Sequence, residues 1–344
     1  MMAIRTNSQE HGGLTIATGG LAVTGGVSVS DGGMTLTDAH HAPPEFPPEG
    51  LDFTLEGAIP MARFFVDDTD EGRGSHYKFP RGTVDKMVAQ AREQMKIMAT
   101  TLQTQTSHVN SFGVHLAKRQ QLYAAMYLHR DLVEGRRVCV FGSMEPWAEA
   151  ALLALGASHV LTVEYNKLTY DHPQITTVSA PYITDPLTGL YSPRSQHVAS
   201  YDLCLSISAF DHDGLGRYGD PLDPEGDLRA MENVKHLLKP ETGRLLLTVP
   251  LGPDVVVWNL HRRYGEVRLP LLLQGWTVVD TVAGLVDWPR GGDGSLADHR
   301  LAVTAPGVRA LLTKEASWRQ TIEPVFLLSC AVQIDVRNYV ADEL

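Results

Sequence analysis

The chain has 344 residues with 29 Lys plus Arg against 40 Asp plus Glu, a net charge of −11, and 43% of its residues are hydrophobic and 20% charged. This is the composition of a folded chain long enough for about two domains, and an acidic balance without a basic run argues against nucleic acid as a partner. No stretch of about 18 apolar residues occurs and residues 1–11 are polar, so the expectation is a cytoplasmic protein with neither secretion signal nor membrane span.

Residues 12–38 carry glycine pairs at 12–13, 19–20, 25–26 and 32–33, followed by the apolar pairs Leu14/Ile16, Leu21/Val23, Val27/Val29 and Met34/Leu36. Two readings stand. The repeat forms stacked β-rungs that join copies of the chain into a homo-oligomer, or it is a low-complexity tail. Pro43, Pro44, Pro47 and Pro48 make the next stretch a stiff linker, so residues 1–50 are read as tail and linker. Residues 51–134 read as mainly helical. Val84, Met87, Val88, Ala91, Met95 and Met98 recur at three- and four-residue steps behind Thr83 as N-cap, and Leu116, Leu122, Ala125, Met126 and Leu128 mark a second helix over 114–132.

After Gly135 short apolar runs alternate with helical stretches. Strands are predicted over 137–141, 160–164, 175–178, 201–207, 243–249, 276–282 and 326–334. A helix over 146–155 starts with Pro146 at its first position, and another spans 225–238. Seven strands in this alternation predict a doubly wound, mostly parallel, Rossmann-like α/β domain over 135–344, with ligands beyond the carboxyl ends of the strands. Cys139, Cys204 and Cys330 lie in apolar segments without C-x-x-C spacing and read as buried thiols.

The turn after the first strand, Phe141-Gly142-Ser143-Met144-Glu145-Pro146, places a glycine before a helix N-terminus, where backbone can approach a ligand. Glu164 closes the second strand, where an acidic side chain accepts a ribose diol. Neither a G-x-S-x-G elbow nor a phosphate-cradling G-x-x-x-x-G-K-[ST] sequence is present.

This order of elements resembles the class I S-adenosylmethionine-dependent methyltransferase fold over about residues 135–335. That family's first turn reads acidic-x-Gly-x-Gly-x-Gly. Gly142 matches its first glycine, while Met144, Pro146 and Val140 stand at the second, the third and the acidic position. Lys239-Pro240 ahead of Gly243 resembles the family's turn into strand five. The stretches 206–224 (Ser-Ile-Ser-Ala-Phe-Asp-His-Asp-Gly and onward) and 257–265 (Val-Trp-Asn-Leu-His-Arg-Arg-Tyr-Gly) resemble a catalogued family of unknown function, DUF268. The resemblance implies S-adenosylmethionine as cofactor. Gly142, Ser143 and Glu145 would lie near its methionyl part, Glu164 on its ribose, and Ser206, Ser208 and Phe210 along its flank.

The loops after strands four and five gather Asp211, His212, Asp213, Arg217, Tyr218, Asp220 and Asp223, then Trp258, Asn259, His261, Arg262, Arg263 and Tyr264. Three readings compete for them. His212 or His261 acts as a base near pH 7 with Asp211 or Asp213 orienting the ring, and Arg217, Trp258, Asn259, Arg262 and Tyr264 bind a small, anionic acceptor. Alternatively Asp211, His212, Asp213 and His261 hold a divalent metal, although no H-x-x-x-H or H-E-x-x-H spacing occurs. In the third, Arg217, Asp220 and Asp223 clamp a long loop whose turns use Gly214, Gly216 and Gly219, Trp258 anchors a core, and Tyr264 with Gly265 ends a helix. The functional expectation is a methyltransferase-like enzyme acting on a small molecule. Its alternatives are a non-catalytic Rossmann-like binding module oligomerised by the glycine repeat, and a metal-dependent enzyme. The turn-rich stretch 287–292 reads as a lid or a surface excursion.

Overall fold

The computed structural model describes residues 27–30, 33–36, 42–104, 118–179, 190–193, 195–282, 289–290, 295–298, 302–313 and 323–330. Its largest sheet has seven strands: β5 (Arg137–Phe141), β6 (His159–Val163), β8 (Ile175–Val178), β9 (Leu203–Ile207), β10 (Arg244–Thr248), β13 (Trp276–Val282) and β14 (Val325–Cys330). Their order is β13-β14-β10-β9-β5-β6-β8. Numbered along the chain, that is 6-7-5-4-1-2-3. The last strand runs antiparallel to both its neighbours, while the pairings from β10 through β8 are parallel. This is a methyltransferase-like α/β fold, and its strand order reverses between β5 and β9.

Alternation along these strands supplies two cores. On one face Val138, Val140, Val160, Leu203, Leu205 and Leu246 are buried under three helices, α1 (Arg81–Thr104), α2 (Lys118–Leu128) and α3 (Trp147–Ala154). On the other, Cys139, Phe141, Leu161, Cys204, Leu245 and Leu247 pack against α4 (Gly226–Leu237), α5 (Arg268–Leu272) and α6 (Pro306–Thr313). A strand whose odd and even residues are both apolar must be covered on both sides, and here it is. Cys139 and Cys204 are buried and face each other in register.

The helix boundaries differ from the sequence pattern in small ways. Thr83 lies inside α1 rather than capping it, because Pro80 begins the turn and its carbonyl receives the Val84 N–H. The second helix starts no earlier than Lys118 among the described residues, and the 3-10 turn Arg130–Leu132 follows it. Pro146 occupies the N-cap of α3 instead of its first turn.

The larger difference is in the segment expected to be mainly helical. Residues 42–80 contribute β3 (Met61–Phe64) and β4 (His76–Phe79). The latter pairs in parallel with β7 (Lys167–Tyr170), a strand on the excursion after β6. The former pairs with β11 (Val255–Asn259), which forms a hairpin with β12 (His261–Arg263). The stretch 257–265 is therefore a hairpin and not a loop or helix end. A third core of Phe53, Ile59, Leu215, Val256 and Trp258 sits beneath it.

From the glycine repeat, β1 (Val27–Ser30) and β2 (Gly33–Leu36) pair antiparallel, Val27 opposite Leu36 and Val29 opposite Met34. This is a hairpin, whereas stacked rungs would pair in parallel. The other repeat positions lie outside the described residues, as do Asp287, Trp288, Gly291 and Gly292 of the expected lid. No helix among the described residues is long and apolar enough to cross a membrane.

Candidate functional site

Where the strand order reverses, the carboxyl ends of neighbouring strands diverge and leave a hollow. Phe141 at the end of β5 with Gly142 and Met144 after it, Glu164 and Tyr165 after β6, Ser208, Ala209, Phe210, His212 and Asp213 after β9, and Tyr191 and Tyr218 line it. Gly142 has φ +73°, and a Cβ there would run into the Cβ of Ala209. The glycine is thus required by the crossing of two loops that form adjacent walls.

Glu164 is only 6% exposed. Its Oε1 accepts the main-chain and side-chain N–H groups of Asn166, each at 3.2 Å. Burial pushes its carboxyl up to about 7 against those hydrogen bonds, and the Asp220 carboxylate adds to the rise. Asp213 is driven well above the usual carboxylate range by burial and then by Asp220, with Arg262 opposing. Burial likewise raises Tyr165, Tyr191 and Tyr218, which remain neutral phenols. The walls are therefore acidic and aromatic, and they favour a ligand that brings positive charge or hydroxyl groups.

His212 is held differently from the sequence expectation. Its Nδ1–H donates to the carbonyl of Leu260, and its ring meets Tyr218 edge-on at 5.5 Å between centroids. Burial, reinforced by Arg217, lowers its pKa to about 3. The ring is neutral at pH 7 and a weak proton acceptor there. Asp211, 1% exposed, places Oδ2 3.5 Å from His212 Nε2, and the His261 ring lies 6.3 Å from that of His212. Among the described residues no group of three or more His, Cys, Asp or Glu could hold a metal ion.

Of the residues expected at a cofactor, Gly142, Glu164, Ser208 and Phe210 share the hollow with His212 and Asp213. The others lie elsewhere. Ser143 turns its hydroxyl to Glu149 Oε2, 3.0 Å away, beneath the first turn of α3. Glu145 is exposed and pairs with Arg119 at 3.4 Å, while Ser206 is buried within β9.

The residues expected at a substrate are engaged with the protein. Arg262 is fully buried, donating to the carbonyls of Asp213, Asp223 and Pro224 beside Asp227. Arg217 donates to Asp68 Oδ2 at 2.7 Å and lies over Tyr218. Trp258 is buried against Phe53, and Tyr264 donates to Asp227 at 2.9 Å. Asn259 receives the Val66 N–H and donates to the Val66 carbonyl, both at 2.8 Å, fastening the N-terminal segment. Asp220 accepts the N–H groups of Gly214, Gly216 and Tyr218, so the loop-clamp reading describes much of this chemistry. Tyr165 and Tyr191 line the hollow without having been singled out, and so does Met144, which was noted only for standing where a glycine was expected. Tyr165 was signalled only by its place beside Glu164, and Tyr191, in irregular chain, by nothing.

The matched sequence covers this whole arrangement from β5 to the chain beyond β13. Residues 135–290 match the family described as "Caenorhabditis protein of unknown function, DUF268". The DUF268 match thus spans both motif stretches and every wall of the hollow, and it joins a methyltransferase-like fold to a family of unknown function. Among solved structures, the chain is similar to an S-adenosylmethionine-dependent methyltransferase from Mesorhizobium loti, at 14% identity and TM-score 0.35, over 60% of this chain and 97% of that one. It is also similar to the branched-chain polyamine synthase from Thermus thermophilus, at 12% identity and TM-score 0.34, over 63% and 57% of the two chains. Among curated proteins none matches. The fold assignment rests on the strand order.

The donor set fits a cationic nucleoside cofactor. A buried carboxyl stands at the end of the second strand in the sheet, aromatic rings form the flank, and two acidic groups with raised pKa values gain from a positive charge.

Proposed function

We propose that the chain binds S-adenosylmethionine in this hollow and is a methyltransferase acting on a small molecule. The observation that carries the reading is the meeting of Gly142, Glu164 and Phe210 at the reversal point of the sheet. When bound, the cofactor supplies an electrophilic methyl group on a sulfonium. The chain's part is largely positional. Glu164 receives the ribose hydroxyls, Phe210 and Tyr165 exclude water, and the acidic walls hold the positive charge.

Calorimetric titration with S-adenosylmethionine and S-adenosylhomocysteine tests this. Glu164→Ala should weaken binding by about tenfold to a hundredfold, the range of a hydrogen bond to a charged group. Absence of heat from either ligand at millimolar concentration, with the protein folded, refutes it.

A second reading, a non-catalytic Rossmann-like binding module, is favoured by one observation: His212 is held neutral and Arg217 and Arg262 are committed to protein partners. Incubation with S-adenosylmethionine and a small-molecule cell extract separates the two. An enzyme yields S-adenosylhomocysteine, whereas a module yields none.

A further inference from the structure

The carboxyls at the hollow are not held alike. Glu164 accepts two N–H groups from Asn166. Asp220, within electrostatic reach of both Glu164 and Asp213, accepts the main-chain N–H groups of Gly214, Gly216 and Tyr218. Asp213 lines the hollow, yet among the described residues no N–H or O–H group donates to its carboxyl. Its main chain is nonetheless pinned. The N–H donates to the Phe210 carbonyl at 3.2 Å, and the carbonyl accepts from Arg262 Nη1 and lies where a Cβ at Gly226 would come within 2.6 Å.

A carboxyl left without donors beside other acids is costly when charged. Asp220, Asp227 and Glu164 all oppose the ionisation of Asp213, and Arg262, whose remaining hydrogen bonds go to the carbonyls of Asp223 and Pro224, opposes them only in part. Among the described residues that line the hollow none is Lys or Arg, and the phenols of Tyr165 and Tyr191 lie within electrostatic reach of Asp213. Aromatic rings and a carboxylate are the partners of a desolvated onium ion.

We propose that Asp213 reads the charge of whatever occupies the hollow, gripping a sulfonium and releasing the uncharged thioether that methyl transfer leaves. This rests on the reading that the hollow holds S-adenosylmethionine. A sulfonium one methylene from the ribose that Glu164 receives brings its charge into the region where Glu164 already acts on Asp213. Asp213 then gives its proton to water and pairs with the cation. In methyl transfer the acceptor's lone pair bonds to the methyl carbon, and the electron pair of the broken carbon–sulfur bond stays on sulfur. The charge there is gone, and Asp213 takes a proton back from water. By linkage, each unit by which the cation lowers the acid's pKa is worth up to about tenfold in affinity.

Calorimetric titration at pH 8 in phosphate and in Tris, whose ionisation heats differ, counts the protons released on binding. Glu164 is largely ionised at that pH, which leaves Asp213 as the source. S-adenosylmethionine should release about one proton more from the parent than from Asp213→Asn, a difference in which the ligand's own titration cancels. It should bind the parent at least about tenfold tighter than S-adenosylhomocysteine does, and the variant should narrow that preference to within about threefold. Trimethylsulfonium and dimethyl sulfide carry the same contrast without a nucleoside and serve if the variant does not fold. An affinity for S-adenosylhomocysteine equal to or above that for S-adenosylmethionine, or proton release that persists in Asp213→Asn, overturns the proposal. Where neither nucleoside binds, trimethylsulfonium bound with proton release, and dimethyl sulfide without it, supports Asp213 as the charge reader and removes the donor reading alone. No response to trimethylsulfonium either overturns both.

Discussion

Glu149→Gln gives a direct test of the electrostatics beneath the turn that follows β5. Glu149 has no exposed surface, and its two oxygens accept the hydroxyls of Thr162 at 2.8 Å and Ser143 at 3.0 Å. Burial raises its pKa from 4.5 to about 7 despite those bonds. Between these values the unfolded chain has released a proton that the folded chain retains, so stability declines as pH rises and the decline is complete above about 7. A shift of about 2.5 units at 1.36 kcal/mol each gives about 3 kcal/mol. Glutamine has nothing to ionise. Its carbonyl can keep the Thr162 bond while its amide donates to the Ser143 hydroxyl, which then turns its proton to the Glu145 carbonyl 3.0 Å away. The variant should match the parent near pH 4.5 and exceed it by up to about 3 kcal/mol at pH 8, read by urea unfolding across that range. Glu164 contributes a similar slope to both proteins and cancels in the difference. Parallel stability curves for parent and variant would refute the reasoning.

Other expectations follow from the same geometry. Asp227→Asn should cost about 3–5 kcal/mol, because it leaves Arg262 and Arg268 buried beside a neutral amide; chemical unfolding measures it, and a loss below 1 kcal/mol would contradict the network. Gly142→Ala should lower stability by about 1–3 kcal/mol, and adding Ala209→Gly should recover part of that loss, whereas strict additivity would mean that the two loops do not collide. Asn259→Ala removes both bonds to Val66, so hydrogen exchange at the Val66 amide should quicken while β5 remains protected, and an unchanged rate there would show that the segment is fastened elsewhere. If Glu164 faces a cation, S-adenosylmethionine affinity should rise from pH 6 to pH 8 as the carboxyl ionises, and a flat profile would count against that assignment.

The central strands were legible because continuous apolar runs such as Val138–Phe141 and Leu245–Leu247 leave a buried parallel strand as the natural reading, and their order then places the carboxyl ends together. Glu164 and Gly142 were legible for the same reason: both lie one step past a strand. The strands β3, β4, β7, β11 and β12 were not. Each has only three to five residues, and their stability comes from partners distant in sequence, as when Ala62 lies beside Val257. Local pattern carries no trace of such pairing. The same limit applies to the ionisable residues. In the sequence Arg262 looks like an anion receptor, but its direction is set by Asp227 on α4 and by three carbonyls that only the folded chain brings to it.

Two of the short pairings carry a practical consequence for anyone dissecting this chain. Cutting at residue 135 strips β3 and β4 away and exposes the main-chain ribs of β11 and β7 as raw, adhesive margins. The leading segment is therefore a sheath for the part that follows it, and fragments made without it should clump more readily than the whole chain.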